Sequence, residues 1–232
     1  MKRVIITLAL AAAPILSQAA EFDVEIHNPT RGLYFTPLLV TAHPAGVTLF
    51  ETGSAASSEL QAMAEGGDIS GLVTLMNTAG ATTVQDPAAG LLIPGASATA
   101  TLNTDNAAAN TQLSIVAMLL PTNDGFLALN NLEVPTEPGT YTYNLNAYDA
   151  GTEANDEVRG SGTPGQPGMP VPPPLDPVLG NNGTGAASSA EGYVHIHRGN
   201  LGDTDLTGGN SDIVSTLHRW LNPVARVTVT VK

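Results

Sequence analysis

Two groups of residues in this sequence could do chemistry. Asp124 lies in Thr122-Asn123-Asp124-Gly125, a turn signature directly after the long apolar run 113–120, and Asp149 closes the β-rich stretch 140–148. Carboxylates at strand ends can present hard oxygen ligands, of which Ca2+ takes about six to eight, supplemented by carbonyl and amide oxygens. Gly125 and Gly151 would let the two loops fold tightly, and Asn123, Asn155 and Asp156 could add oxygens. The plainer account makes both aspartates ordinary turn-formers, as in many Asp-Gly turns, and the pattern alone leaves both accounts open. A contiguous Asp-x-Asp-x-Asp-Gly calcium loop is not present.

The second group is His195-Ile196-His197. Alternation along a strand places both imidazoles on one face, a spacing that can chelate zinc or copper, as His-x-His strands do in copper–zinc superoxide dismutases. A catalytic centre of that kind needs at least one more ligand and an open position. His27, His43 and His218 could contribute, but nothing local nominates any of them. The plainer account is a solvated strand face with two hydrogen-bonding histidines. Asp203, Asp205 and Asp212 sit in a polar Gly/Asn/Thr loop and read as solvated turn residues. The single tryptophan, Trp220, reads as a core anchor before a sugar-stacking platform.

Other chemistries lack their signatures. There is no G-x-S-x-G elbow, no H-E-x-x-H and no Walker A loop. A glycosidase needs a defined carboxylate pair, and one sequence gives no means of choosing it. Cysteine is absent from the 232 residues, which excludes thiol catalysis, Cys-based zinc sites and iron–sulfur clusters. Eight Lys+Arg stand against twenty-one Asp+Glu, a net charge of −13, which disfavours nucleic acid or an anionic membrane as the main partner.

The elements that must position these groups are mostly strands. Residues 22–27, 140–148, 193–197 and 226–231 alternate apolar with polar, so that Val227, Val229 and Val231 share one face. Residues 38–42 and 113–120 are continuous apolar runs, read as buried sandwich strands or short buried helices. Segments 82–84 and 99–101 are weaker strand candidates. Between Ser54 and Gly66, Ala56, Leu60, Met63 and Ala64 fall at helical spacing, with Ser58 and Gln61 in capping-box register and Gly66-Gly67 as the stop. Residues 160–190 are rich in Pro and Gly and read as an insertion inside one domain, because the roughly forty residues that follow are too few to fold alone.

The first nineteen residues read as an address. Lys2-Arg3, an apolar run at 4–16 and Ser17-Gln18-Ala19 form the three-part secretory signal pattern, so the expected mature chain starts near Ala20 and forms one domain to residue 232. No later stretch is apolar enough over eighteen residues to suggest an integral membrane segment. The expected location is exported: periplasmic, cell-surface or secreted.

Several stretches, taken in order, resemble the spondin N-terminal domain, known from F-spondin and from exported bacterial proteins. They are Phe35-Thr36-Pro37-Leu38-Leu39-Val40-Thr41-Ala42-His43, Leu49-Phe50-Glu51-Thr52-Gly53, Met63-Ala64-Glu65-Gly66-Gly67, the run 113–120 with Pro121-Thr122-Asn123-Asp124-Gly125-Phe126, Asp149-Ala150-Gly151-Thr152-Glu153, and Asn222-Pro223-Val224-Ala225-Arg226-Val227. The resemblance implies an all-β fold, an antiparallel C2-like β-sandwich, with a Ca2+ ion held by loops at one end. Position by position, the implied ligands are Asp124, Asp149 and Glu153. Glu153 departs from the family's Asp, and Gly125 stands where the family has an aromatic. Animal members carry cysteines absent here, which fits a bacterial branch. The implied function is a non-enzymatic, calcium-binding adhesion or interaction module, with a protein or extracellular polysaccharide as partner. The alternatives are a His-x-His copper or zinc oxidoreductase and a passive extracytoplasmic structural protein.

Overall fold

The computed structural model describes residues 21–232; the expected signal segment, 1–19, and its cleavage point at Ala20 lie outside them. In chain order the elements are β1 (Glu21–His27), β2 (Tyr34–Phe35), β3 (Leu39–His43), helices α1 (Ser58–Gly66) and α2 (Ser70–Thr78), then β4 (Thr82–Gln85), β5 (Ser97–Asn103), β6 (Gln112–Leu120), β7 (Gly125–Glu133) and β8 (Gly139–Asp149). There follow β9 (Arg159–Gly160), β10 (Met169–Pro170), β11 (His195–Ile196), the single-turn α3 (Ser215–His218) and β12 (Ala225–Val231). One antiparallel sheet runs β4-β3-β6-β7-β8-β12-β1-β5, with β2 on β6 and β11 on β8. Its end strands β4 and β5 touch, so the sheet nearly closes into a barrel. The antiparallel all-β fold expected from the sequence is present, with its sheet rolled until the edges meet.

Side-chain alternation dictates where the core lies. In β1, Phe22, Val24 and Ile26 point inward, and β12 matches them with Val227, Val229 and Val231. On the other side of β1, β5 contributes Ala98, Ala100 and Leu102. β6 lacks alternation because it is buried on both faces. Leu113, Ile115, Ala117 and Leu119 join the barrel core, while Val116, Met118 and Leu120 join a second core. That second core is roofed by α1 and α2 through Leu60, Met63, Leu72 and Met76. A continuous apolar run is what a strand covered on both sides requires.

Three local expectations need correction. The cap of α1 is Ser57, not Ser58: its side chain accepts from Leu60 N, and Gln61 bonds the Glu65 carboxylate instead of closing a capping box. One short helix was expected between the strands, but α2 follows directly, burying Leu72, Val73 and Met76. The strand expected at 193–197 is regular only at His195–Ile196, with Val194 bonded instead to Gly53 and Ser54. The weak segments at 82–84 and 99–101 are full strands, β4 and β5, because their partners β3 and β1 supply the pairing that local propensity alone lacks.

The Pro/Gly-rich stretch is built into the structure. Met169, Leu175 and Leu179 are buried in the second core. The Arg159 side chain ties the stretch down, donating to Gly180 O at 2.6 Å and pairing with Asp176 at 2.5 Å. Beyond it, β12 is hydrogen-bonded between β1 and β8.

Candidate metal centre

Asp149 is the last residue of β8, where three strands meet. It lies opposite Gly125 of β7 on one side and His195 of β11 on the other. The chain then turns sharply: Asp149 Oδ1 accepts from Gly151 N at 2.8 Å, and Oδ2 accepts from Asn155 Nδ2 at 2.7 Å. Two glycines make this crossing possible. Gly151 has φ +67°, and a Cβ there would lie 2.3 Å from Tyr193 O. A Cβ on Gly125 would press on Thr122 Oγ1 at 2.8 Å and His197 Cδ2 at 3.1 Å, so glycine leaves room for the His197 ring.

Asp124 sits beside Asp149 and is fully buried. Its Oδ2 accepts from Thr152 N at 2.8 Å, Glu153 N at 3.0 Å and Thr152 Oγ1 at 3.2 Å. Its Oδ1 has no partner. Burial first, and the neighbouring Asp149 charge second, push the Asp124 carboxyl well above the usual carboxylate range, against the lowering effect of the two backbone donors. Among the described residues, no Lys or Arg forms an ion pair with either carboxylate. The pair is a buried concentration of potential negative charge with nothing cationic beside it.

Of the three residues expected as ligands, the fold thus brings Asp124 and Asp149 together. Glu153 joins them through its backbone N–H, while its Oε1 accepts from Asn123 Nδ2 at 2.8 Å and from Gly168 N. Burial raises the Glu153 carboxyl above its ordinary range, opposed by those two donors. The supplementary oxygens expected nearby have other work. Asn123 Oδ1 accepts from Glu157 N at 2.9 Å, Asn155 presents its amide nitrogen to Asp149, and Asp156 Oδ1 accepts from Asn123 Nδ2 at 2.7 Å and Val158 N at 2.9 Å. They tie the loops to one another. Asp212 is not the solvated turn residue expected. It is buried and takes N–H bonds from Arg159 and Gly183, and it stands beside the equally buried Glu157, which holds Leu201 N, Gly202 N and Ser211 Oγ.

On the other flank, the histidine strand is not a solvated face. His197 is 3% exposed and packs against Trp220 with ring centroids 4.9 Å apart. Burial, first, holds its imidazole down at about 4. Its Nε2 lies 3.9 Å from Asp149 Oδ2. His195 Nε2 lies 3.6 Å from Asp149 Oδ1 and 3.9 Å from Glu191 Oε2. Glu191 is the residue that sequence reasoning missed: its place depends on the β8–β11 register, which no local motif encodes. His27, His43 and His218 do not join the Asp149, Glu191 and His195 group. Seven buried side-chain polar atoms lack a partner among the described residues, and Asp124 Oδ1, Glu191 Oε2, His195 Nε2 and His197 Nε2 are four of them. Native structures leave few such atoms, so their concentration at this one corner marks it.

A match to the Spondin_N family covers residues 23–171, well over half the chain. The chain belongs to the spondin N-terminal domain family. The match takes in Asp124, Asp149 and Glu153 and ends before Glu191, His195 and His197, and before the 222–227 stretch that also resembles the family. No curated protein matches the chain. Within the described residues, no helix is long and apolar enough to cross a membrane.

Proposed function

We propose that this spondin-type protein is an exported, non-enzymatic interaction module whose barrel end is fastened by a Ca2+ ion at Asp124 and Asp149. The observation that carries the reading is Asp124 Oδ1: a fully buried carboxylate oxygen without a donor, beside a second buried carboxylate. Asp124 is anchored by loop N–H groups on one oxygen and Asp149 by one donor on each, with no cationic partner for either, which leaves the assembly short of positive charge and suited to a hard divalent cation. Glu153 completes the set through Oε2, the oxygen that Asn123 and Gly168 do not occupy. Family membership supports the remainder, since spondin domains are typically extracellular and the family is not a known enzyme family.

The ion's role in this reading is structural. It neutralises carboxylates that otherwise repel and joins the 121–125 turn to the 149–157 loop. The surface those loops present is the contact for a protein or extracellular polysaccharide. Calorimetric titration with Ca2+ tests the site. The wild-type protein is expected to bind one equivalent, Asp124→Asn to lose binding, and Glu153→Gln to weaken it. Equal heats for wild type and Asp124→Asn would remove the assignment.

A further inference from the structure

We infer that the same corner carries a mixed nitrogen–oxygen site for a divalent metal of the zinc class, held by His195 Nε2, Asp149 and Glu191. The three ligand atoms lie within 4.8 Å of one another, with His195 Nε2 3.6 Å from Asp149 and 3.9 Å from Glu191. Tetrahedral Zn2+, with bonds of about 2.0–2.1 Å, places its ligand atoms about 3.3 Å apart. A small inward movement of His195 and Glu191 therefore suffices. Both side chains are about a quarter exposed, at 27% and 28%, while the ligating atoms Nε2 and Oε2 are themselves buried, so the site lies just beneath the surface.

The backbone decides which imidazole can ligate. His195 Nδ1 lies 3.0 Å from Ile196 O. A carbonyl oxygen only accepts, so the proton is on Nδ1 and Nε2 offers its lone pair to the Asp149–Glu191 gap. His197 is the reverse case. Its Nδ1 accepts from Gly199 N at 2.9 Å, so the neutral ring carries its proton on Nε2. That N–H is deeply buried, has no partner, and is 3.9 Å from Asp149 Oδ2. His195 is thus a ligand, and His197 is a positioning residue whose Nε2–H closes on the Asp149 carboxylate once a metal draws the site together. The two histidines do not chelate as a His-x-His pair.

The nitrogen donor sets the metal class. Ca2+ is served by oxygen, whereas imidazole with two carboxylates suits zinc and its neighbours. The site shares Asp149 with the calcium reading but uses neither Asp124 nor Glu153, so each stands or falls by its own test.

The experiment titrates chelator-stripped protein with Zn2+ and, separately, reads both imidazole tautomers from two-bond 1H–15N correlations without metal. One equivalent of Zn2+ should bind. His195→Ala should weaken binding at least about a hundredfold and His197→Phe about tenfold, the scale of losing an orienting partner. Glu191→Gln, a partly exposed change that leaves the fold intact, should also weaken it, while Asp124→Asn should not. The metal-free spectra should show His195 protonated on Nδ1 and His197 on Nε2. Absence of Zn2+ binding, wild-type affinity in both His195→Ala and Glu191→Gln, or the opposite tautomers would overturn the inference. An Asp124-dependent Ca2+ response that survives such a failure leaves the calcium reading standing, and Zn2+ binding without that response does the converse.

Discussion

The barrel around β1, β5 and β12 and the corner around Asp149 are built from the same sheet on opposite terms. In the barrel, every second side chain is buried and apolar: Phe22, Val24 and Ile26 face Val227, Val229 and Val231, and the polar residues between them face outward. At the corner, buried side chains are polar, and four of their atoms lack partners. The barrel is stabilised by area removed from water. The corner gives up stability, because unpaired buried polar atoms cost about 1–3 kcal/mol each. A fold that concentrates such cost in one place holds a site there for something outside the chain.

Removing a core side chain and removing the unpaired carboxyl should therefore act with opposite sign. The largest loss is expected in the sheet core. Leu113→Ala, at a fully buried position of β6, should cost about 2–5 kcal/mol in urea unfolding and leave metal binding per folded molecule unchanged. Gly151→Ala should cost about 1–3 kcal/mol, because its φ of +67° and its contact with the Tyr193 backbone both exclude a side chain. Unlike Leu113→Ala, it should also lower metal affinity by displacing the loop that holds Asp124. Asp124→Asn should go the other way. In metal-free protein it removes a carboxyl that burial and the neighbouring Asp149 hold out of its ionised form, raising stability by about 1 kcal/mol. A destabilised metal-free Asp124→Asn would erase the contrast between the two regions.

The smallest effect concerns acid. Burial holds the His218 imidazole, in α3, down at about 4, below its ordinary value near 6.5. A depressed folded value means that the unfolded chain takes the proton first. The stability that neutral His218 contributes is full above about pH 6.5 and is lost as pH falls toward 4. His218→Asn should flatten the dependence of unfolding free energy on pH across that window. An unchanged slope would show that His218 is not what couples α3 to acid.

How much of this was legible follows the same division. β1, β8 and β12 could be read directly, because alternation is a local signal and a barrel wall obeys it. β6 could be read as buried without its reason, since coverage on both faces is a property of the fold. α2 escaped because Gly71, Val73 and Thr74 are weak helix formers, although Ile69, Leu72, Val73 and Met76 fall at helical spacing. At the corner, Asp124 and Asp149 stood out by turn chemistry and by family likeness. Glu191 did not, because only the pairing of His195 with Asp149 brings it near. The opposite tautomers of His195 and His197 were equally hidden, being set by Ile196 O and Gly199 N.

The most direct test of the central claim, that a Ca2+ ion fastens the Asp124–Asp149 corner, is thermal unfolding of the purified protein in Ca2+ and in EDTA. The expected midpoint rises with Ca2+ concentration, equivalent to about 2.7 kcal/mol at a hundredfold excess over the dissociation constant, and does not rise in Asp124→Asn. Identical midpoints for the wild-type protein in Ca2+ and EDTA would contradict that claim.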